Sequence, residues 1–444
     1  MVPAVRPAEV VPDSTRGYSQ LETSRLLLIT PPNSYRTVSY LEAARRQGIP
    51  VLVASRGRYS LVSEVAAGLH IDLNDPAALD ALLVADREWP FSGVVATDDA
   101  SVELGSRVAQ ALNLPHNPPQ AACFSHRKDL ARRALEAAGV PVPDFRVIDL
   151  SRPLPEQLEN LQLPCVVKPV SLSGSRGVIR ADTREQVLRA CGRVLGILAA
   201  ESTRESFATT HLLIESYVSG AEVAVEGMLH AGRLDVLAIF DKPDPMEGPY
   251  FEETYYITPS RHDRNIRSRI MQRVTEACHG LGLHEGPVHA EVRISNEDGV
   301  ILEVAARTIG GDCARLLRFG TGQGLEDLVI SHAVGNPLQV QRQEGGAGVL
   351  MIPIARRGIL RRIEGILEAR AVPYIEEILI SIREGYELVP LPEGASYLGF
   401  MFARAPTPEQ AESALREAHA KLNIVVAPVM PLADERSRPA RGMQ

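Results

Sequence analysis

The sequence has few cysteines, few aromatic residues and no long apolar run. Its five cysteines are scattered along 444 residues without a Cys-x-x-Cys pair, so neither a disulfide framework nor a cysteine zinc site is predicted. No apolar stretch approaches the roughly 20 residues of a membrane span, and the first 20 residues show no signal peptide. A reducing compartment suits such a chain, and we expect a cytoplasmic protein without a membrane partner.

Positive charge is not concentrated anywhere in the chain. The net charge is -8 and the pI is about 5.8, with Lys and Arg spread out rather than clustered. A nucleic-acid-binding protein is typically basic, so nucleic acid is not expected as a partner. A hydrophobic content of 45% and a charged content of 23% are those of a globular protein with buried cores.

The familiar short motifs for nucleotides and zinc are also missing. The sequence contains neither a Gly-x-Gly-x-x-Gly fingerprint after a strand nor a P-loop, which argues against a nicotinamide-dependent oxidoreductase. His284, Glu285 and His289 have the wrong spacing for a zincin helix, and Gly286-Pro287 forbids that helix. Any nucleotide or metal chemistry must therefore use other elements.

The pattern of apolar residues predicts a multidomain protein of α/β and α+β type. Residues 24–120 alternate apolar strands with helix patterns, which predicts a Rossmann-like layer with a parallel sheet. Hairpin patterns in residues 121–340, with helix patterns at 184–200 and 264–281, predict two α+β lobes. A Gln/Gly-rich seam at 341–347 looks like a boundary, and residues 341–430 are predicted to form a small α+β module of order β-α-β-β-α-β. Residues 1–23 and 431–444 are expected to be a flexible arm and tail.

A hairpin pattern at residues 288–307 carries the strongest chemical signal. With the turn centred near Glu297, Glu291 and Glu303 lie opposite each other on one face, and Arg307 falls on that face too. Two facing carboxylates repel unless a cation lies between them, and open carboxylates suit Mg²⁺ that holds phosphates. A solvated hairpin with ordinary surface glutamates is the alternative.

Two further segments have features of nucleotide binding. The strand at residues 164–169 contains Lys168 and precedes a Ser/Gly loop at 171–178, where backbone N–H groups can approach an anion. Glu215 closes an apolar strand before an extended linker, a glycine turn and Glu222, an arrangement that offers backbone groups to an adenine and a carboxylate to a ribose. Taken alone, each segment also fits an ordinary hairpin connection or β-turn.

The order of these elements resembles the ATP-grasp superfamily over residues 25–335. The likeness implies phosphate-binding lysines, a loop that folds over the phosphates, an adenine linker between two acids, and two metal-binding acids. The implied lysines are Lys128 and Lys168, and the implied loop contains Ser173, Gly174 and Gly177. The implied adenine linker contains Tyr217 and Val218 between the acids Glu215 and Glu222, and the implied metal-binding acids are Glu291 and Glu303. ATP is the implied co-substrate and Mg²⁺ the implied ion, with Mn²⁺ as the alternative.

Within the superfamily the chain looks like carboxylate–amine ligases of the L-amino acid ligase type. The usual Glu-x-Asn-x-Arg ending has Ala305 in place of Asn, a departure that these ligases share, and residues 358–365 and 398–400 are similar to their C-terminal domain. The likeness implies that Arg307 stabilises the transferring phosphoryl group. Glu253, Gly310 and Gly311 are the implied contacts to small-molecule carboxylate and amine substrates.

The implied activity is ATP-dependent formation of an amide or peptide bond through an acyl phosphate, with release of ADP and phosphate. Two alternatives remain open at this stage. One is another ATP-grasp ligase, similar to glycinamide ribonucleotide synthetase or biotin carboxylase, and the other is a non-catalytic ATP-binding module. The oligomeric state stays open, with a homodimer as one option because related ligases often dimerise.

Overall fold

The computed structural model describes residues 24–32, 34–56, 67–201, 206–319, 322–338, 340 and 344–429. The predicted arm (1–23) and tail (431–444) lie outside the described residues. Among the helices that are described, none is long and apolar enough to cross a membrane.

The N-terminal region is the predicted α/β layer. Its elements are β1 (Arg25–Ile29), α1 (Arg36–Arg46), β2 (Val51–Ser55), β3 (Ala67–His70), α2 (Ala78–Glu88), β4 (Phe91–Ala96) and α3 (Asp99–Ala111). The strands pair in parallel in the order β3-β2-β1-β4. All of β1 is buried, as expected for a strand covered by helices on both faces. Asp98 caps α3 and so fixes the chain where it leaves β4.

Two short helices lead from this layer into a small antiparallel lobe. They are α4 (Pro119–Phe124) and α5 (Lys128–Ala137). The lobe contains β5 (Phe145–Asp149), α6 (Leu154–Gln157), β6 (Cys165–Pro169), β7 (Ile179–Ala181), α7 (Arg184–Glu201), α8 (Phe207–Thr210) and β8 (His211–Ser216). Its strands pair in the order β5-β8-β6-β7. The apolar face of α7, including Val187, Val194 and Leu198, is buried in the core of this lobe.

The third region begins with long antiparallel strands. It contains β9 (Ala221–His230), β10 (Arg233–Lys242), β11 (Tyr255–Thr258), α9 (Arg264–Leu281), β12 (Gly286–Ser295) and β13 (Asp298–Ala305). A 3₁₀ turn (Cys313–Leu316), β14 (Arg318–Phe319), β15 (Gln323–Gly324) and α10 (Leu325–Ala333) follow. Helix α9 begins and ends where the sequence pattern predicts, at residues 264 and 281. The buried residues Ile270, Val274 and Cys278 pack this helix into the core beside the sheet.

The C-terminal region continues the large sheet. Its elements are β16 (Gly346–Ile352), β17 (Gly358–Glu364), α11 (Ile366–Arg370), β18 (Ile375–Ile380), β19 (Glu387–Leu388), β20 (Gly399–Ala405), α12 (Pro408–Ala420) and β21 (Asn423–Ala427). The predicted β-α-β-β-α-β order omitted β16 and β19. Among the described residues, β16, β20 and β18 extend one sheet in the order β13-β12-β9-β10-β11-β16-β20-β18. The C-terminal region thus shares the large sheet with the strands before it, because β16 pairs with the second edge of β11.

A tight contact joins the N-terminal layer to the end of α10. A Cβ atom on Gly93 in β4 would lie 2.4 Å from the carbonyl oxygen of Ala333. We expect Gly93→Ala to lower the free energy of unfolding by roughly 1–3 kcal/mol, because backbone must move to admit the methyl group. Chemical denaturation of the full chain measures the change.

The matched control is Gly196→Ala on the exposed face of α7. Nothing lies within 4 Å of the added Cβ atom there. This variant should be unchanged or more stable by up to about 1 kcal/mol, since alanine is the better helix former. Equal stabilities of the two variants would show that the contact at Gly93 is not constraining.

Candidate functional site

The β12–β13 hairpin places Glu291 directly opposite Glu303, as the sequence predicts. Asn296 and Glu297 form its two-residue turn, and both have positive φ, which is typical of a type I′ hairpin. The strands also shift register between Glu291 and Val292, so a bulge accompanies the pairing. The carboxylates therefore share one face, while the bulge adjusts their spacing.

One cavity of about 780 Å³ gathers nearly all the predicted residues. It lies where the small lobe, the large sheet, the N-terminal layer and the C-terminal region meet. Of the predicted set, the residues that line it are Lys128, Lys168, Ser173, Gly174, Glu215, Tyr217, Val218, Glu222, Glu253, Glu291, Glu303, Arg307, Gly310 and Gly311. Gly177 is not among the lining residues. Its N–H donates instead to the carbonyl of Pro392, at 2.9 Å.

Lys242 lies at the centre of a group of carboxylates on the large sheet. Its Nζ is 2.6 Å from Glu222, 2.5 Å from Glu253 and 3.5 Å from Glu291. Burial disfavours the ammonium form, but the three carboxylates outweigh burial and raise the pKa of Lys242. The same charge holds the pKa of Glu291 well below its usual range against the effect of burial. Both groups are therefore ionised at neutral pH.

Lys168 belongs to a buried group of three charged side chains that the sequence did not suggest. The carboxylate of Glu215 accepts from Lys168 Nζ at 2.6 Å and lies 2.6 Å from Nε of Arg132. Burial raises the pKa of Glu215, but the two cations outweigh burial and leave it lowered. Both oxygens of Glu215 thus face protein cations. This arrangement makes Glu215 a support for Lys168.

The second phosphate-binding candidate, Lys128, faces the hairpin. It begins α5, and its Nζ lies 3.1 Å from Oε1 of Glu303. Lys128 is buried, whereas the side chain of Glu303 remains 25% exposed to the cavity. A lysine therefore neutralises one of the two predicted metal ligands, and Lys242 neutralises the other.

The Ser/Gly loop joins β6 to β7 and is held from outside by the C-terminal region. Gly174 and Ser175 have positive φ, the conformation that opens backbone N–H groups toward an anion. Arg176 donates from Nε to the carbonyl of Glu393 at 2.9 Å. Arg193 of α7 donates to the Glu393 carboxylate from Nε at 2.5 Å and from Nη2 at 2.8 Å. Residues 390–397 therefore hold the loop from behind.

The linker after β8 is fastened by Arg293 of β12. Arg293 donates to Glu222 at 2.8 Å, to the carbonyl of Gly220 at 2.9 Å and to the carbonyl of Met246 at 2.6 Å. A Cβ atom on Gly220 would lie 2.0 Å from the carbonyl of Ile294, and its φ is +116°, so only glycine fits. Tyr217 and Val218 thereby form a fixed edge of the cavity.

Arg307 is oriented by a carboxylate from the N-terminal layer. Asp99 accepts from Nε at 2.8 Å and from Nη2 at 2.9 Å, a bidentate pair. Burial raises the pKa of Asp99, but Arg307 outweighs burial and lowers it. Nη1 of Arg307 donates to the carbonyl of Thr308 at 3.0 Å, which fixes the guanidinium plane.

Of the predicted substrate contacts, Gly310 and Gly311 line the cavity beside Tyr35 and Arg36 of the N-terminal layer. A Cβ atom on Gly310 would lie 3.4 Å from Arg36 Nη2 and 3.5 Å from the Tyr35 hydroxyl, so glycine leaves space beside both. Gly311 donates its N–H to the Tyr35 hydroxyl at 2.9 Å. Oε1 of Glu253 already accepts from Lys242 and from the Tyr256 hydroxyl at 2.7 Å. Its predicted contact with a substrate ammonium would have to compete with both donors.

Sequence reasoning missed the residues that support the site from a distance. Arg132, Asp99 and Glu393 reach it from other segments, and no local pattern marks them. His289 and Arg293 could have been found, because alternation along β12 puts them on the same face as Glu291, and all three line the cavity.

These features define an ATP-grasp enzyme: two lobes enclose lysines, a Ser/Gly loop and facing acidic residues of one hairpin. Three family models match successive parts of the chain. The ATP-grasp N-terminal domain matches residues 41–116, the ATP-grasp domain residues 161–315, and the L-amino acid ligase C-terminal domain 2 residues 350–427.

Known ligases are similar over much of the chain. An L-amino acid ligase from Bacillus licheniformis superimposes with a TM-score of 0.79 at 28% identity, covering 91% of this chain and 99% of that one. Alanine–anticapsin ligase from Bacillus subtilis (strain 168) is 24% identical over 277 residues, 59% of this chain and 58% of that protein. Carnosine synthase 1 of Mus musculus is 25% identical over 288 residues, 61% of this chain but 35% of that protein.

The chain is an ATP-grasp ligase of the carboxylate–amine type and is similar to the L-amino acid ligases. It is an ATP-dependent, ADP-forming enzyme that makes carbon–nitrogen bonds. Enzymes of this class use ATP with a divalent metal ion and act on small molecules.

Asp99→Asn tests the support of Arg307. We expect kcat to fall on the order of 10- to 100-fold with little change in KM, because a misplaced guanidinium stabilises the transition state poorly. Steady-state ADP release measures both constants. Asp298→Asn is the control, since Asp298 forms the same bidentate pair with Arg273 on the surface, at 3.0 and 2.7 Å. A similar loss of kcat in both variants would contradict the positioning role.

Glu393→Gln tests whether the C-terminal region positions the Ser/Gly loop. The pair with Arg193 is half exposed and contributes about 1 kcal/mol at most, so we expect KM for ATP to rise by roughly 2- to 5-fold. Glu201→Gln is the control, because Glu201 pairs with Arg176 of the same loop at 2.5 Å but lies outside the C-terminal region. If the control raised KM equally, the C-terminal segment would have no special part.

Proposed function

We propose that this enzyme joins two amino acids into a dipeptide through an acyl phosphate. A carboxylate oxygen of the first substrate attacks the γ-phosphorus of ATP, and ADP leaves. The amino nitrogen of the second substrate then attacks the acyl carbon, loses a proton, and phosphate departs. The observation that carries this proposal is the facing pair Glu291 and Glu303, which shares one cavity with Lys128, Lys168 and Arg307.

The carboxylates suit a hard divalent ion. Glu291 and Glu303 offer only oxygen ligands, and their side chains, 26% and 25% exposed, are more open to the cavity than the buried Glu222. We propose Mg²⁺ as the ion, with Mn²⁺ as the alternative. When bound, the ion would supply positive charge against the β- and γ-phosphates. Ala305 in place of asparagine leaves further coordination to water or phosphate oxygens.

The lysines bind and orient the triphosphate in this proposal. Lys128 and Lys168 both donate to carboxylates, at 3.1 and 2.6 Å, and can exchange these partners for phosphate oxygens. Arg132 would then remain with Glu215, so that carboxylate is not left unpaired. Arg307 stabilises negative charge on the transferring phosphoryl group and on the tetrahedral oxyanion. The loop at residues 171–178 excludes water, which would otherwise hydrolyse the acyl phosphate.

Amino acids are the proposed substrates because of the relatives and the shape of the cavity. Alanine–anticapsin ligase carries an amino acid in its name, and an L-amino acid ligase shares the fold over nearly its whole length. Gly310 and Gly311 leave room beside Tyr35 and Arg36, where a carboxylate could meet a guanidinium. We propose Glu253 as a contact for the substrate ammonium, in exchange with Lys242.

Two broader properties also remain proposals. A cytoplasmic location fits the described cysteines, which are all free thiols. A homodimer is proposed from the family likeness alone.

The activity itself is tested with the purified chain, ATP, Mg²⁺ and pairs of amino acids. We expect ADP release that depends on an amino acid pair, and mass spectrometry should find the matching dipeptide. ADP release that responds to bicarbonate alone would contradict peptide-bond formation. Product formation without ADP release would contradict the acyl-phosphate route.

Glu303→Gln tests the metal assignment. The glutamine keeps the shape of the side chain but lacks the negative charge of the carboxylate. We expect kcat to fall about 100-fold or more, because the ion would lose a ligand. Glu297→Gln, in the turn of the same hairpin, should leave kcat unchanged. Unchanged product formation by Glu303→Gln would show that the ion is held elsewhere.

A further inference from the structure

Two histidines and a glutamate meet away from the ATP cavity. His230 ends β9, Glu285 lies just before β12, and His332 is in the last turn of α10. One ligand atom from each lies within 4.8 Å of the other two. None of the three lines the 780 Å³ cavity, and the proposed reaction uses none of them. We propose that these residues bind a zinc ion that links α10 to the large sheet.

The distances suit a small tetrahedral ion. Oε2 of Glu285 lies 3.0 Å from His332 Nε2 and 3.8 Å from His230 Nδ1. Ligand atoms about 2.1 Å from a tetrahedral zinc are about 3.4 Å apart, a value between these two distances. The three ligand atoms all lie within 4.8 Å of one another, so side-chain shifts would bring them to this spacing around an ion. Two imidazoles and one carboxylate form a protein ligand set that zinc commonly takes, and water completes it.

A hydrogen bond to Oε1 of Glu285 orients its carboxylate so that Oε2 can bind the ion. Oε1 accepts the N–H of Ala231 in the β9–β10 turn, at 2.9 Å. The backbone of Glu285 is fixed as well, because its N–H donates to Asn117 Oδ1 at 2.9 Å and its carbonyl accepts from Asn117 Nδ2 at 2.8 Å. Oε2 is therefore presented to both imidazoles, and supporting hydrogen bonds of this kind orient metal ligands.

The three ligands belong to different parts of the fold. His230 ends β9 and Glu285 directly precedes β12, the neighbouring strand of the large sheet, whereas His332 is on α10, which contacts the N-terminal layer. Asp327 of α10 accepts from Arg46 of α1 at 3.1 and 2.7 Å. Zinc at His332 would consequently tie the N-terminal layer, through α10, to the catalytic sheet. Such an ion stabilises the folded chain by its binding free energy.

The bare chain offers a simpler explanation, in which His332 donates one hydrogen bond to Glu285 and His230 is a surface side chain. The two explanations differ in their response to zinc. Mg²⁺ prefers oxygen ligands and competes weakly for imidazole, so excess Mg²⁺ and ADP occupy the catalytic site without masking the histidines. The zinc proposal does not depend on the substrates of the enzyme.

The experiment is a titration of the full chain with Zn²⁺ in excess Mg²⁺ and ADP, followed by calorimetry and metal analysis. We expect His230→Gln to bind one equivalent fewer than the wild type, or to bind it at least about 100-fold more weakly, because even changes beyond the ligands cost roughly 10- to 100-fold. Zn²⁺ should raise the midpoint of thermal unfolding of the wild type and not of this variant.

The control is His279→Gln, a histidine on α9 whose Nε2 contacts the carbonyl of Gly232 at 2.9 Å rather than the cluster. It should bind zinc like the wild type. His230 is exposed, so its replacement should not disturb folding, and His332→Gln provides an independent second variant. Equal zinc binding by the wild type and both cluster variants would overturn the proposal, as would a wild type that binds none.

Discussion

The active cavity depends on the pairing of buried charges. Lys168, Glu215 and Arg132 form one group, Lys242 with three glutamates forms a second, and Arg307 with Asp99 forms a third. Each group removes charges from water, and an unpaired member would cost several kcal/mol. The groups therefore keep their side chains in place, and the site is preorganised for a highly charged substrate. In the proposed reaction, a triphosphate would replace the carboxylate partners of Lys128 and Lys168.

The residues proposed to bind the nucleotide and the residues that orient them come from several segments of the chain. The residues proposed to touch the nucleotide come from α5, the small lobe, β9 and the β12–β13 hairpin. Those that orient them include Asp99 from the N-terminal layer, Arg132 from α5 and Glu393 from the C-terminal region. Each region of the fold thus contributes a positioning contact to one cavity, which explains why the site forms where all of them meet.

Local patterns predicted much of this architecture. Alternation along β12 and β13, with a polar turn between them, was enough to place Glu291 opposite Glu303. The bounds of α9 followed from helical spacing, and its end at Gly282 is a left-handed glycine cap. The strand lysine and the Ser/Gly loop were equally visible, because a short sequence carries all their features.

The remainder depended on contacts between distant segments. Nothing near Glu215 indicates that Arg132 and Lys168 pair with it, so these partners could not be predicted from the sequence. A Gln/Gly-rich seam at 341–347 looks like a boundary and gives no sign that strands pair across it. β16 nevertheless forms hydrogen bonds with β11, a pairing that only tertiary structure reveals.

The continuity of the large sheet has an evolutionary consequence. Tyr255–Thr258 hydrogen-bond to residues 347–350, so the C-terminal region supplies strands that the catalytic lobe would otherwise leave as an open edge. Exchange of this region between related ligases would require new partners along β11 as well as new loops around the cavity. Recombination at this junction is therefore constrained by backbone pairing, and specificity can diverge more readily through point changes in the loops that border the cavity.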